Sequence, residues 1–164
     1  MPETTILATN PPAKEAAAPR GCTNAKLRQL TRLVTRDYDA EVGASGLKTS
    51  QYSLLSNVVS FAPIRPSDLA HRMRLDASTL TRNMQPLIAQ GWLEILPGAD
   101  ARSRLVVATE AGRAKQIETR RVWKTAQLAL NERLGIERVA RLHALIDECL
   151  ELLEADRCDE TPGP

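Results

Sequence analysis

The 164-residue chain carries 22 Lys and Arg against 20 Asp and Glu, a formal net charge of only +2. Any binding to a polyanion must therefore rest on local charge and not on a global positive field. The length fits one domain with a real core, and no apolar run approaches the length of a membrane span.

Three cysteines is an odd number, and no basic stretch followed by an apolar one opens the chain. No signal peptide is expected, and a cytoplasmic location with free or regulatory thiols is favoured over a disulfide framework.

Residues 1–21 contain Pro2, Pro11, Pro12 and Pro19 among Thr and Ala runs and read as a flexible arm. From 23 to 43, Leu27, Leu30, Leu33, Val34, Tyr38 and Val42 follow helical spacing. Thr23 or Asn24 is the expected cap, and Gly43 and Gly46 end the helix. A second helix opens at Thr49 or Ser50 with Tyr52, Leu54, Leu55, Val58 and Val59 on its apolar side.

The stretch from Pro66 to Thr109 is the most informative. Pro66-Ser67-Asp68-Leu69-Ala70-His71-Arg72-Met73 reads as a short helix, with Pro66 suited to its first position. A tight turn, Arg74-Leu75-Asp76, leads into a second helix from Ala77 to Gln90. Gly91-Trp92-Leu93-Glu94-Ile95-Leu96 and Arg104-Leu105-Val106-Val107-Ala108-Thr109 then form a β-hairpin whose tip carries Arg102. A helix-turn-helix followed by such a hairpin is a winged helix, which sets one helix in the DNA major groove and an Arg in the minor groove. Between Phe61 and Thr109 there are six Lys or Arg and four Asp or Glu. That excess is small, so the motif carries the reading and charge adds little.

At 100° per residue, Leu80, Met84, Leu87 and Ile88 share the buried face of the second reader helix. Ser78, Arg82 and Gln85 point away from it, flanked by Thr79 and Thr81. Short hydroxyls and one guanidinium suit a groove: hydroxyls contact phosphates or bases, and Arg chelates guanine O6 and N7. Arg82 leads as base reader, with Ser78 and Thr79 next. Thr81 and Asn83 are balanced between DNA contact and a solvated or capping role. Pro86 should bend this helix beyond Arg82.

Ser67 suits a phosphate contact or plain N-capping, and Arg72 and Arg74 suit phosphate contact or solvation. Gly98 permits the wing turn. Arg102 is the minor-groove probe, with Arg104 beside it, and Asp100 is expected to orient one of them by a salt bridge.

Thr109 should cap a long helix running to Gly135. A last helix follows with Val139, Leu142, Ile146, Cys149 and Leu153 spaced three and four apart. The apolar faces of the first and last helices are not needed by a small winged helix, and the economical reading is a dimerisation layer, the alternative being that they pack only within one chain as a helical subdomain. The expected architecture is therefore mainly α with a small β-hairpin wing. The winged helix-turn-helix domain spans 22–155, with a DNA-binding part at 49–109, dimerisation helices at 23–43 and 110–155, and a flexible tail at 156–164.

Cys22, Cys149 and Cys158 could converge if the terminal helices share a dimer layer, as an oxidant sensor or a site for a soft thiophilic metal. The opposing reading makes Cys149 a small apolar core residue beside Ile146 and Leu153. Tyr38 and Tyr52 are candidates to line a small-molecule pocket, or simply core. No Cys-x-x-Cys is present and there are two histidines, His71 and His143, which argues against structural zinc. No Gly-rich phosphate loop, Ser-centred elbow or paired His cluster is found, so neither an enzyme nor a cofactor is expected. The alternative to operator reading is a winged helix used only to dock proteins.

The segments Gly46-Leu47-Lys48-Thr49-Ser50-Gln51-Tyr52-Ser53-Leu54-Leu55, Ser67-Asp68-Leu69-Ala70, Ser78-Thr79-Leu80-Thr81-Arg82, and Asp100-Ala101-Arg102-Ser103-Arg104 with Thr109-Glu110-Ala111-Gly112 together resemble the MarR (multiple antibiotic resistance regulator) family. The resemblance covers about Cys22 to Leu153. It implies a homodimer that binds double-stranded DNA at a pseudo-palindrome. It also implies a repressor released by a small phenolic compound, an oxidant or a metal, with any pocket between the dimer layer and the winged helix. The position resembling the family's hydroperoxide-sensing cysteine falls at Asn24, two residues after Cys22.

Overall fold

The computed structural model describes residues 20–159 apart from 101 and 102, with side chains described as far as 155. The first helix, α1 (Thr23–Val42), begins after Cys22, which takes the N-cap position with extended backbone and no side-chain cap. The expected cap at Thr23 or Asn24 is thus displaced by one or two residues; the Lys26 N–H already bonds the Cys22 carbonyl at 3.1 Å. A 3-10 turn over Gly43–Ser45 and a left-handed Gly46 turn the chain into α2 (Thr49–Phe61). Asp39 on α1 caps α2 from outside: its Oδ1 accepts the Thr49 N–H at 2.7 Å. Gln51 Oε1 accepts the Lys48 N–H at 2.9 Å. Two of the orphan donors at that helix start are thereby satisfied.

Next come α3 (Pro66–Arg72), with Pro66 in its first turn, and α4 (Ala77–Ala89). Arg74 makes the turn between them at φ 52°, and the Leu75 N–H reaches the Ala70 carbonyl at 2.9 Å. The hairpin pairs β1 (Leu93–Pro97) with β2 (Arg104–Ala108) in register from Leu93 opposite Ala108 to Pro97 opposite Arg104. Ile64, just before α3, adds an isolated antiparallel bridge on the far side of β2 by exchanging bonds of 3.2 and 2.8 Å with Val106. The wing base is thereby tied to the entry of the helix-turn-helix.

Helix α5 (Glu110–Leu134) starts under Thr109, whose Oγ1 accepts the Gly112 N–H at 3.0 Å and donates to the Gly91 carbonyl at 2.7 Å. Gly112 is required by a close approach: a Cβ there would lie 2.0 Å from the Trp92 carbonyl oxygen. Gly98 plays a similar part at the wing. Its φ is not in the left-handed region, but a Cβ would meet Ser103 Oγ at 2.1 Å. Lack of a side chain, not backbone freedom, is what the turn uses.

The core lies in the winged helix around α2. Leu54, Leu55, Leu69, Leu80, Leu87 and Val106 are fully buried there, each stabilising by about 2 kcal/mol over an exposed position. Helix α1 packs along α5. Helix α6 (Ile136–Asp159) buries Val139 near its start, but Leu145, Leu152 and Leu153 are 57, 62 and 64% exposed. The expectation that Cys149 sits in a core is not met within one protomer. Cys149 is exposed because, among the described residues, no element covers that part of α6. The helix also runs to Asp159, three residues past the expected start of the tail at 156. Residues 1–19 of the expected arm and 160–164 of the expected tail lie outside the described residues.

Candidate nucleic-acid interface

The helical period of α4 separates its two sides as its pattern requires. Leu80, Met84 and Leu87 are buried and Ile88 half-buried, while Ser78, Thr81, Arg82 and Gln85 are exposed. Thr79 and Asn83 are half-buried at the edges. The start of α4 is organised by Asp76, a residue that the sequence reading treated only as part of the turn. Its Oδ1 accepts the Thr79 N–H at 2.7 Å and the Ser78 hydroxyl at 2.6 Å, and its Oδ2 accepts the Thr79 hydroxyl at 2.7 Å. The Ser78 hydroxyl bond leads, with the Thr79 backbone and hydroxyl bonds behind it, in holding the Asp76 carboxyl well below the usual carboxylate range. An Asp followed three residues later by a helix donor was the local signal for this cap. One turn on, Thr81 Oγ1 donates to the Ala77 carbonyl at 2.8 Å.

Ser67 is exposed in the first turn of α3 and makes one long bond, Oγ to Asp68 Oδ1 at 3.3 Å. It does not cap; the N-cap residue is Arg65. The Arg72 guanidinium lies 3.4 Å from the centroid of the Phe61 ring. Arg74 Nε donates to Glu154 Oε1 at 2.5 Å. At the wing, Asp100 Oδ1 accepts the Ser103 N–H at 2.7 Å and closes the tip, a role the expected salt bridge did not include. Arg104 Nη1 donates to the Ser103 carbonyl at 3.0 Å. Arg102, the expected minor-groove probe, lies outside the described residues.

Tyr38 and Tyr52 are both buried. They flank Trp123, with ring centroids 6.4 and 6.0 Å away. The Tyr38 hydroxyl donates to Gln127 Oε1 at 2.6 Å, and burial raises its pKa. The meeting of Trp123 with two tyrosines depends on how α1, α2 and α5 pack. A groove of about 270 Å³ opens beside Tyr38, lined by Leu30, Val34, Gln127, Leu130, Leu142 and His143 among others. Cys22 and Cys149 are free and exposed, and the side chain of Cys158 lies outside the described residues. Among the described residues, no group of three or more His, Cys, Asp or Glu is placed to hold a metal ion.

Residues 45–103, from the entry of α2 to the wing tip, match the model of the MarR family. This segment is similar to the MarR family. The fold of the chain is that of M. tuberculosis MosR solved in complex with DNA, at 28% identity and a TM-score of 0.69, covering 81% of this chain and 98% of that one. Mutant MarR from E. coli, solved with operator DNA, is similar at 24% identity and a TM-score of 0.72, covering 77 and 92% of the two chains. An uncharacterised helix-turn-helix transcriptional regulator of Bacillus subtilis, YwoH, is 28% identical over 93 residues, 57% of this chain and 68% of that one. In this chain the helix-turn-helix is α3–α4 and the wing is the β1–β2 hairpin. Among the described residues no helix is long and apolar enough to cross a membrane.

Proposed function

We propose that the protein is a homodimeric transcriptional repressor that reads a pseudo-palindromic operator, with α4 of each protomer in a major groove and each wing in the flanking minor groove. It is a regulator and not an enzyme. The observation that carries this reading is the exposed side of α4. A guanidinium and short hydroxyls face outward from a helix whose other side is fixed in the core, the arrangement a groove-reading helix needs. The DNA-binding part is then 49–109, with Arg82 as the base reader, Ser78, Thr79, Thr81 and Asn83 beside it, and Ser67, Arg102 and Arg104 toward the backbone and minor groove.

The dimer layer is α1, α5 and α6. Leu27 and Leu33 on α1 are each 52% exposed, and together with the bare half of α6 they form apolar surface that a second copy covers. Release from DNA is assigned to an effector. The Tyr38 groove, with apolar walls and a tyrosine–glutamine pair, suits a small ring compound. The exposed Cys22 and Cys149 are open to an oxidant or thiophilic metal.

Titration of purified full-length protein against genomic fragments, followed by thermal-shift measurements with phenols, peroxides and arsenite, tests the reading. Specific duplex binding by a dimer, weakened by one of these effectors, is the expected result. A monomer without preference for any duplex, but which captures another protein through the same face, would favour the protein-docking alternative.

A further inference from the structure

The hydroxyls on the outward side of α4 share one polarity, and it is set from within the protein. Ser78 Oγ and Thr79 Oγ1 bond the two carboxylate oxygens of Asp76 at 2.6 and 2.7 Å, and Thr81 Oγ1 bonds the Ala77 carbonyl at 2.8 Å. The direction of all three is forced, because an ionised carboxylate and a backbone carbonyl have no proton to give. Each hydroxyl has a single proton, and each has spent it inward. What remains on its outer side is lone pairs.

We propose that Ser78 and Thr81, with Thr79 at their edge, act as acceptors toward DNA, so that α4 selects base pairs offering an exocyclic amino group in the major groove, adenine N6 or cytosine N4. Asp76 is the positioning residue that sets this polarity. The inference rests on α4 being the helix that enters the groove.

The chemistry separates this role from backbone contact. Phosphate oxygens only accept, so a hydroxyl contacting phosphate must first withdraw its proton from Asp76 or Ala77. For Ser78 and Thr79 that breaks a charge-assisted bond, stronger than the neutral bond to Ala77. An amino group donates and needs no rearrangement. Arg82 has the opposite character: its guanidinium can only donate, which fits guanine O6 and N7. The exposed side of α4 thus presents acceptors at Ser78 and Thr81 and a donor fork at Arg82. The resulting half-site code has amino-bearing bases next to a guanine. Asp76 itself, negatively charged and exposed, is repelled by phosphate and adds to the preference for donors on the groove floor.

The test uses full-length protein and an operator obtained by selection from random duplex. At each half-site position, adenine is replaced by purine and cytosine by 2-pyrimidinone, which delete the amino group alone. The expected result is a loss of about tenfold in affinity at one or two positions. That loss should be abolished in Ser78→Ala or Thr81→Val. Asp76→Asn retains a cap oxygen but turns one cap atom into a donor, so Thr79 must accept from it and turn its proton outward. This variant should change base preference beside the Arg82 position while staying folded by circular dichroism. Specific binding that is indifferent to amino deletion everywhere, or hydroxyl variants that weaken all duplexes equally, would overturn the polarity and leave the regulator intact. Failure to select any duplex would overturn both.

Discussion

Arg74 and Glu154, 80 residues apart in sequence, meet side chain to side chain at 2.5 Å. Arg74 forms the turn of the helix-turn-helix and Glu154 lies near the far end of α6, so the pair joins the reader head to the helix assigned to dimerisation. Bonding to Glu154, with further attraction from Glu154 and Asp147, raises the Arg74 pKa against the lowering by desolvation. Both side chains are half-exposed, at 51 and 54%, so salt should screen the tie. Glu154→Gln should therefore increase amide exchange in the last turns of α6 at low salt, with little change in thermal midpoint. At about 1 M salt, wild type and variant should exchange alike; equal exchange at low salt would show that the pair tethers nothing.

The close approach of α5 to the wing is open to a direct test. A Cβ on Gly112 would meet the Trp92 carbonyl oxygen at 2.0 Å, and both partners are backbone, so neither can rotate away. Gly112→Ala should destabilise by about 1–3 kcal/mol, read as a lower midpoint in urea with an unchanged slope. A midpoint equal to wild type would mean the two segments are not packed as described.

Assembly should depend on the bare end of α6. Changing Leu152 and Leu153 together to Glu places charge on surface that a second copy is proposed to cover, and neither side chain has a core role in the protomer. The double variant should be a folded monomer by light scattering where wild type is a dimer. A variant that remains dimeric would move the interface elsewhere.

The Asp76 cap has a defined pH response. Its folded pKa lies below the ordinary value of 3.8, so its stabilisation is fully present above that value and is lost as pH falls through the lower folded one. Wild type should exceed Asp76→Asn by a few degrees in thermal midpoint from pH 5 to 8, with a flat difference. The gap should close only below about pH 4. A difference that varied between pH 5 and 8 would assign the response to another group.

Much of this architecture was legible in the residues because it is local. The period of Leu80, Met84 and Leu87, Pro66 at a helix start, Thr109 as a cap and the hairpin between Leu93 and Ala108 each follow from near neighbours in sequence. What was not legible depends on distant segments meeting. Ile64 bridges to Val106, Trp123 stands between two tyrosines, and Arg74 finds Glu154 only through the tertiary fold. The seam on α6 was readable as apolar, but nothing among the described residues covers it, so Cys149 emerged exposed where spacing suggested a core. Asp76 is the exception: a local signal was there, and the turn reading passed over it.

The central claim is that Arg82 reads a base from an outward-facing helix, and its most direct test is a binding titration of wild type and Arg82→Ala on a selected operator and on every single-base variant of one half-site. The account predicts a loss of about 10- to 100-fold on the operator and a loss of preference at one base pair, with binding to unrelated duplex reduced far less. Identical affinity and identical preference at every position would contradict it.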